Sequence, residues 1–337
     1  MITSRNRKLR VFLLFILCSF IAAHLCFRLL PKVFETGNAQ AIDQLYVLRA
    51  SLQTFRPVYD PTVAYVDLNN TSIQRLKNLY LNRGHYARLI RNLSAMDVSA
   101  QVFDFIFAAK KDEKGDAALV RAAKEAGNVY FGMAFEIVQE DLPPAKQAAD
   151  SEALDYVNRT SWDVSVVGES KRLYRAGEPH LTYPELAAAS RGLGSLSVKF
   201  DPDGVLRRVP LLVRLKNSFY PLLPLRVICD YLKVSPDKIF FEPGRHIILS
   251  DAVKPGFAKP RDIIIPVDRN GNMVINYIGP WGMMDHYNFA DILLASDDRD
   301  ELEIWGEELR GKIVIVSDVS TGSTDIGPVP TDANFPL

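Results

Sequence analysis

Cysteine is scarce in these 337 residues. There are three, and Cys18 and Cys26 fall in an apolar N-terminal run, which leaves Cys229 alone in the rest and excludes an intramolecular disulfide there. A body of this size builds a core without covalent staples, so the absence does not argue against an extracytoplasmic location. Net charge is absent too: 40 Lys and Arg balance 40 Asp and Glu. Nothing draws the chain toward nucleic acid. The motifs of several enzyme classes are also missing. His85, His180, His246 and His286 are scattered, with neither an HExxH spacing nor cysteine partners, so they form no recognisable zinc motif. The loop Ser317–Thr324 follows a strand pattern and offers backbone N–H groups to an anion, but lacks the Gly-Lys-Ser/Thr ending of a phosphate-binding loop. No G-x-S-x-G turn presents a serine nucleophile. The sequence therefore assigns no catalytic residue and no cofactor.

What is present begins with a long apolar run. From Val11 to Phe27 the only strongly polar side chain is His24, and extension to Leu30 gives about 20 residues, enough to span a bilayer core as a helix. Arg5, Arg7, Lys8 and Arg10 stand ahead of it, with Arg28 and Lys32 just beyond. This bias predicts a cytoplasmic tail at 1–10, a transmembrane helix at 11–30 and an exported body. A cleaved signal peptide is the competing reading, and it exports the body as well. Residues 31–61 then read as a membrane-proximal helix and linker, because Ala41, Ile42, Leu45, Leu48, Leu52 and Phe55 recur at helical spacing before Pro57 and Pro61 break the pattern. That helix either pairs with its twin in a dimer or packs on its own domain.

The body is organised around Thr62 to Ala109. Val63 to Val66 form an apolar run ending at Asp67, and Tyr86, Leu89, Ile90, Leu93 and Met96 follow at helical spacing. Val102, Phe103, Phe105, Ile106 and Phe107 then surround Asp104, a run continuous enough for a strand buried on both faces. Two strands joined by one helix predict parallel pairing with a right-handed crossover. Lys110–Asp116 reads as a solvated loop, Ala117–Ala126 as a helix closed by Gly127 and Asn128, and Val129–Phe135 as the next strand. Val138–Val157, with Pro143 and Pro144, reads as an exposed insertion. The middle reads as antiparallel. Ser195–Phe200 and Val205–Leu215 flank a turn at Asp201–Gly204, and Ile263–Val267 and Met273–Tyr277 flank a turn at Arg269–Gly271. Pro224–Leu232 and Asp300–Leu309 read as helices, and Lys312–Val316 as the last strand. The predicted fold is α/β, a mixed sheet with a parallel βαβ core and antiparallel hairpins, preceded by one transmembrane helix. Residues 62–330 form the main domain and 331–337 its truncated C-terminal end.

Asp67 and Asp104 fall at or near the C-terminal ends of strands predicted to be neighbours, which is where open α/β sheets bind ligands. Paired carboxylates there suit Mg²⁺ or Ca²⁺; alternatively both cap turns or helix starts, since Asn69, Asn70 and Thr71 after Asp67 make a good N-cap cluster. Arg207 and Arg208 are adjacent in a strand pattern and so point to opposite faces. One is available to an anionic ligand or acidic partner, or both are ordinary surface charges.

The order of elements resembles the type-two CHASE domain, the cyclase and histidine-kinase associated sensory extracellular domain of bacterial receptors. The resemblance is carried by Asp43–Arg49, Val63–Asp67, the helix with Arg83, Tyr86, Leu89 and Leu93, and Phe103–Phe107 with Asp104. It continues through Gly127–Val129, Asp201 to Pro210, Asn276–Pro280, and Gly311–Val316 with Asp325. It implies a sensory region that binds a small-molecule or protein signal and controls a cyclase or kinase. The implied location is the inner (cell) membrane, with one N-terminal pass and the main domain periplasmic. Asp67, Arg83, Asp104 and Asp325 are the implied ligand-binding residues, and a homodimer through the membrane and membrane-proximal helices is the implied assembly. Two departures bear on any pocket: Leu79–Asn82 stand where the family has tryptophan and proline, and Ser317–Asp318 where it has a small glycine turn. Two other readings stand beside the sensor. One is an exported metal-dependent hydrolase using Asp67 and Asp104; the other is a membrane-tethered interaction module without a ligand.

Overall fold

A computed structural model describes residues 2–77, 81–138, 156, 159–256, 259–321 and 326–336. The chain divides into two compact units, Met1–Pro57 and Val58–Leu337. In the first, helix α1 (Ile2–Leu29) contains 20 residues, Arg10–Leu29, of mean hydropathy 2.2. It is long and apolar enough to cross a membrane. Leu30 interrupts it, and helix α2 (Pro31–Ser51) begins at Pro31. Proline suits that first helical position, where its missing N–H has no intrahelical partner to lose.

The second unit is an α/β body. Strand β1 (Val63–Leu68) leads to helix α3 (Asn70–Leu76) through a capping box, in which the Asn69 side-chain Oδ1 accepts the Ser72 N–H at 2.9 Å and the Ser72 hydroxyl receives the Asn69 N–H. Helix α4 (Arg83–Ala95) starts in the same way at Asn82 and His85. Strand β2 (Ala100–Phe103), helix α5 (Glu113–Ala126) and strand β3 (Val129–Val138) follow. Helix α5 closes at Gly127, whose φ of +68° is the left-handed C-cap conformation. After β4 (Ser165–Val166) come β5 (Arg175–His180), helix α6 (Pro184–Ala189) and β6 (Gly192–Ser195). Next are β7 (Arg208–Pro210), β8 (Leu212–Leu215), β9 (Ser218–Pro221) and helix α7 (Leu223–Tyr231). Strands β10 (Ile239–Glu242), β11 (His246–Ala252), β12 (Arg261–Pro266) and β13 (Asn272–Val274) lead to β14 (His286–Asn288). Helices α8 (Phe289–Leu294) and α9 (Arg299–Leu309), strand β15 (Ile313–Asp318), and the hairpin of β16 (Ile326–Val329) with β17 (Asp332–Pro336) complete the body.

The main sheet has the order β14-β1-β15-β2-β3-β5-β8-β9, with β6 also paired to β3. Strands β14, β1, β15, β2 and the start of β3 are parallel, and the far side turns antiparallel. The mixed α/β expectation holds, but β1 and β2 are not neighbours. Strand β15 lies between them, Val66 and Phe103 both aligning with Val316. The apolar runs reveal that each strand is flanked, not by which partner, and the partner is supplied from more than 200 residues away.

Alternation along β1 sends Ala64, Val66 and Leu68 into the larger core beneath α4, α5 and α8, among Leu89, Ile90, Leu93, Leu119 and Phe289. On the opposite face α7 packs Leu223 and Val227 against Ala100, Val102, Tyr130 and Ile313. Gly194 permits that approach: a Cβ there would lie 2.3 Å from the Leu223 Cα.

Two expectations are corrected. The charged patch 110–116 is not all loop, since α5 starts at Glu113 and Asp116 is buried. The turns at 201–204 and 268–271 exist, yet neither joins a hairpin: β6 pairs with β3, β12 with β11, and β7 with β13. Local turn chemistry is correct there, but the strands leaving each turn find better partners elsewhere. Of the predicted insertion 138–157, only Val138, at the end of β3, and the buried Tyr156 lie within the described residues.

Candidate functional site

The C-terminal ends of the central parallel strands gather the polar residues. Because Val66 points into the larger core, its neighbours Tyr65 and Asp67 point to the opposite face. Strand β14 aligns His286 with Tyr65, and β15 aligns Ser317 with Asp67. Asp67 is buried, and its Oδ2 lies 2.9 Å from Nδ1 of His286. This is an ion-pair contact rather than a well-aligned hydrogen bond. Among the described residues, Asp67 Oδ1 and the buried Ser317 hydroxyl have no hydrogen-bond partner.

His286 is held from its other side as well, with Nε2 2.8 Å from the Trp281 carbonyl oxygen. Burial pulls the imidazole pKa down, but the Asp67 carboxylate, the Trp281 carbonyl and the Asp285 charge outweigh it, and the net direction is upward. Both ring nitrogens face acceptors, so the cationic form, which donates from both, is the form the site favours. The rings of Trp281 and His286 lie 4.5 Å apart, Tyr65 meets Trp281 edge-on at 5.0 Å, and Phe335 from β17 closes on Trp281 at 5.1 Å. Burial raises the Tyr65 phenol pKa, and the charges of Tyr59, Asp67 and Asp104 raise it further, so Tyr65 is a neutral donor.

Around this centre runs a net of amides and hydroxyls. Ser72 donates to Asn288 Oδ1 at 2.9 Å, Asn288 donates to Asn69 Oδ1 at 3.2 Å, and Thr321 donates twice to Asn70 Oδ1. These bonds tie the ends of β1, β14 and β15 to the start of α3.

The four residues singled out from sequence fall in different places. Asp67 is at the centre. Asp104 follows β2, and its backbone N–H donates to the Val316 carbonyl at 3.0 Å. It lies two strands from Asp67, about 10 Å between backbones, with β15 between them. Arg83 belongs to the helix layer on the other face. Its guanidinium sits 4.3 Å over the Phe107 ring, donates to the Ala109 carbonyl at 3.0 Å and lies 3.4 Å from Asp116, with both charged side chains buried. Asp116 also accepts the N–H groups of Lys111 and Asp112, so this group pins the 107–112 segment to α4 and α5. Asp325 lies outside the described residues. Arg207 and Arg208 are not divided between two faces as expected. Arg207 is buried and forked onto Asp201 and Asp203, while Arg208 reaches Asp201 and Asp268.

Sequence reasoning missed His286 and Trp281. Neither stands in a motif, and only the parallel pairing of β14 with β1 brings His286 to a carboxylate 219 positions away. The cluster resembles half of an acid–base triad, but Nε2 of His286 is engaged by a carbonyl and is turned to no nucleophile. Among the described residues no group of three or more His, Cys, Asp or Glu could hold a metal ion. The arrangement suits recognition instead: one free carboxylate oxygen and one hydroxyl, bordered by aromatic rings. A separate depression of about 400 Å³ lies along Ile264–Val274. Its acid, Asp268, already accepts from the backbone N–H groups of Asn270 and Asn272, and the lining is mainly apolar.

Compared with models of known families, residues 15–337 match the CHASE2 domain. No curated protein and no solved structure matches the chain.

Proposed function

Because the chain belongs to the CHASE2 domain family, sensory extracellular domains of receptors, we propose that it is the periplasmic sensory region of a bacterial membrane receptor that controls a cyclase or kinase. The apolar helix Arg10–Leu29 anchors it in the cell membrane, with the basic N-terminal residues in the cytoplasm. The signal binds at the Asp67–His286–Ser317 cluster. The observation that carries this reading is the buried Asp67 carboxylate at the C-terminal edge of the sheet, one oxygen of which pairs with His286 while the other has no partner among the described residues. A partnerless buried acceptor is costly, and a ligand that donates to it gains what the free site lacks. Asp67 already has the His286 ring beside it, so the favoured ligand is a small neutral or zwitterionic molecule with N–H or O–H donors and an apolar part for Trp281 and Tyr65. Binding biases the receptor between two states only to the extent that the ligand prefers one of them.

The test is thermal unfolding of the detergent-solubilised chain in a panel of amino acids, amides and polyols at millimolar concentration. A ligand present at 100 times its dissociation constant stabilises by about 2.7 kcal/mol, or several degrees in Tm. Asp67→Asn, which exchanges the acceptor for an amide, is expected to abolish the shift. A shift that survives Asp67→Asn moves the site elsewhere, and no shift across the panel removes the small-molecule reading.

A further inference from the structure

A second cluster of charge lies at the opposite edge of the main sheet from Asp67. Strands β3 and β6 run parallel, with Tyr130 aligned to Gly192, and both begin at this edge. The Tyr130 hydroxyl donates to Asp230 Oδ2 at 3.0 Å, and two guanidiniums share the same oxygen, with Nε of Arg226 at 3.4 Å and Nε of Arg191 at 3.7 Å. Both distances exceed that of a strong charged hydrogen bond, so one carboxylate oxygen holds two cations loosely. Arg226 is the fixed member. Its side chain is 17% exposed, a Cβ on Gly192 would lie 2.8 Å from its Cζ, and the Trp162 ring is 5.7 Å away. Arg191 is exposed, and its guanidinium makes no hydrogen bond among the described residues. A third arginine joins them. Arg159, also exposed, stands 5.4 Å over the Tyr156 ring. Burial raises the Tyr156 phenol pKa, while the Ser190 hydroxyl and the charges of Arg226 and Arg159 oppose the rise, so both guanidiniums lie close to Tyr156.

We propose that Arg159, Arg191 and Arg226 bind a dianionic phosphate group, carried by free phosphate or by a phosphate monoester. Charge sets the class of ligand. Among the described residues Asp230 is the one acid paired with any of the three, so three guanidiniums against one carboxylate leave an excess of two positive charges. A phosphate monoester near pH 8 carries the matching two negative charges. A carboxylate or a phosphate diester carries one and compensates half of the excess. Shape agrees with charge, because a guanidinium presents N–H donors in a fork that fits a pair of phosphate oxygens. Arg226 is already placed by Asp230, Gly192 and Trp162, so ordering it costs little, and Arg191 and Arg159 close on the ligand from the exposed side. None of these residues belongs to the Asp67 cluster, and the inference does not depend on a ligand there.

The experiment is thermal unfolding of the detergent-solubilised chain near pH 8 in a series of sodium phosphate concentrations, with sodium chloride holding the ionic strength constant. Phosphate also stabilises proteins generally by exclusion from their surfaces, an effect that does not saturate. The readout is therefore a saturable rise in Tm and its half-saturating concentration. Arg191→Gln and Arg159→Gln alter exposed side chains and spare the packed Arg226. The first is expected to raise the half-saturating concentration about tenfold and the second about threefold. Arg191→Lys restores the charge without the fork and is expected to fall between Arg191→Gln and the unaltered chain. Dimethyl phosphate, a monoanion, is expected to bind about tenfold more weakly than phosphate. Glycerol 1-phosphate identifies the source: tighter binding than phosphate supports a monoester, and weaker binding supports the free ion. A Tm that rises without saturating, or a half-saturating concentration unchanged by Arg191→Gln, overturns the site. Equal binding of dimethyl phosphate and phosphate overturns the choice of a dianion.

Discussion

Replacing Asp67 by Asn and His286 by Gln, singly and together, measures whether the central pair is an ionic unit. At 2.9 Å, and with an effective dielectric constant of about 20, the bare attraction is about 6 kcal/mol, most of which is returned as the cost of taking both groups out of water. The Asp67 side chain is 7% exposed and that of His286 19%, so solvent screens the pair only partly. Each single replacement leaves one buried ion without its counter-ion and is expected to cost about 2–4 kcal/mol, more for His286→Gln because the remaining carboxylate is the more buried partner. The double replacement removes both ions, and its cost is expected to fall below the sum of the singles by about 2 kcal/mol. The pH dependence follows from the raised imidazole. A folded pKa above the ordinary value of 6.5 gives stabilisation that is complete below that value and is lost as pH rises through the folded one. Urea unfolding followed by tryptophan fluorescence is the assay, with Trp281 against the imidazole as a local reporter. The coupling should be full near pH 6 and smaller near pH 9. Single costs that add to the double within about 0.5 kcal/mol at both pH values would refute an ionic pair and leave His286 as a packing residue.

Two further substitutions test the frame around the site. Arg83→Met breaks a buried pair, a carbonyl contact and a ring contact together, and should cost about 3–5 kcal/mol and lower Tm by several degrees in ligand-free protein. A change in Tm below about 1 °C would show that Arg83 is not a structural pin and return it to the list of ligand contacts. Gly194→Ala forces a Cβ against the Leu223 backbone and should cost about 3 kcal/mol, whereas Gly127→Ala at the end of α5 meets open space and should cost about 1 kcal/mol in left-handed strain. The reverse ranking in urea midpoints would mean that α7 does not lie against β6.

What could be read from the residues depended on the range of the interaction. Asn69 and Gly127 end their elements through bonds to residues three or four positions away, so the caps were legible where they stand. The buried stripe of α4 was legible for the same reason, since helical spacing needs no knowledge of the partner. Strand order was not. Val102 and Phe103 declare a strand covered on both faces, but nothing in them distinguishes β1 from β15 as the neighbour, and the expected placing of Asp67 and Asp104 on adjacent strands failed with that choice. Arg83 shows a second limit. A charged residue opening a helix after Asn82 reads equally as a ligand contact and as a pin, and only the buried Asp116, placed by an earlier start of α5 than the alanine pattern suggested, separates the two. His286 shows a third, because its partner is set by parallel register alone.

The register of β1 also couples the central strands to one another. In the body of residues 58–337 the first strand is not at an edge but is held between β14 and β15, both from the last sixth of the chain. Tyr65–Asp67 pair with His286–Asn288 on one side, and Val63–Leu68 pair residue for residue with Ile313–Asp318 on the other. Any displacement of β1 along its axis must break ladder bonds on both sides at once, so β1, β14 and β15 move as one block or not at all. The Asp67–His286 pair, the Ser72–Asn288 bond and the Thr321–Asn70 bonds join the same three strands at one end. Bonds added at that end therefore act on the block as a whole.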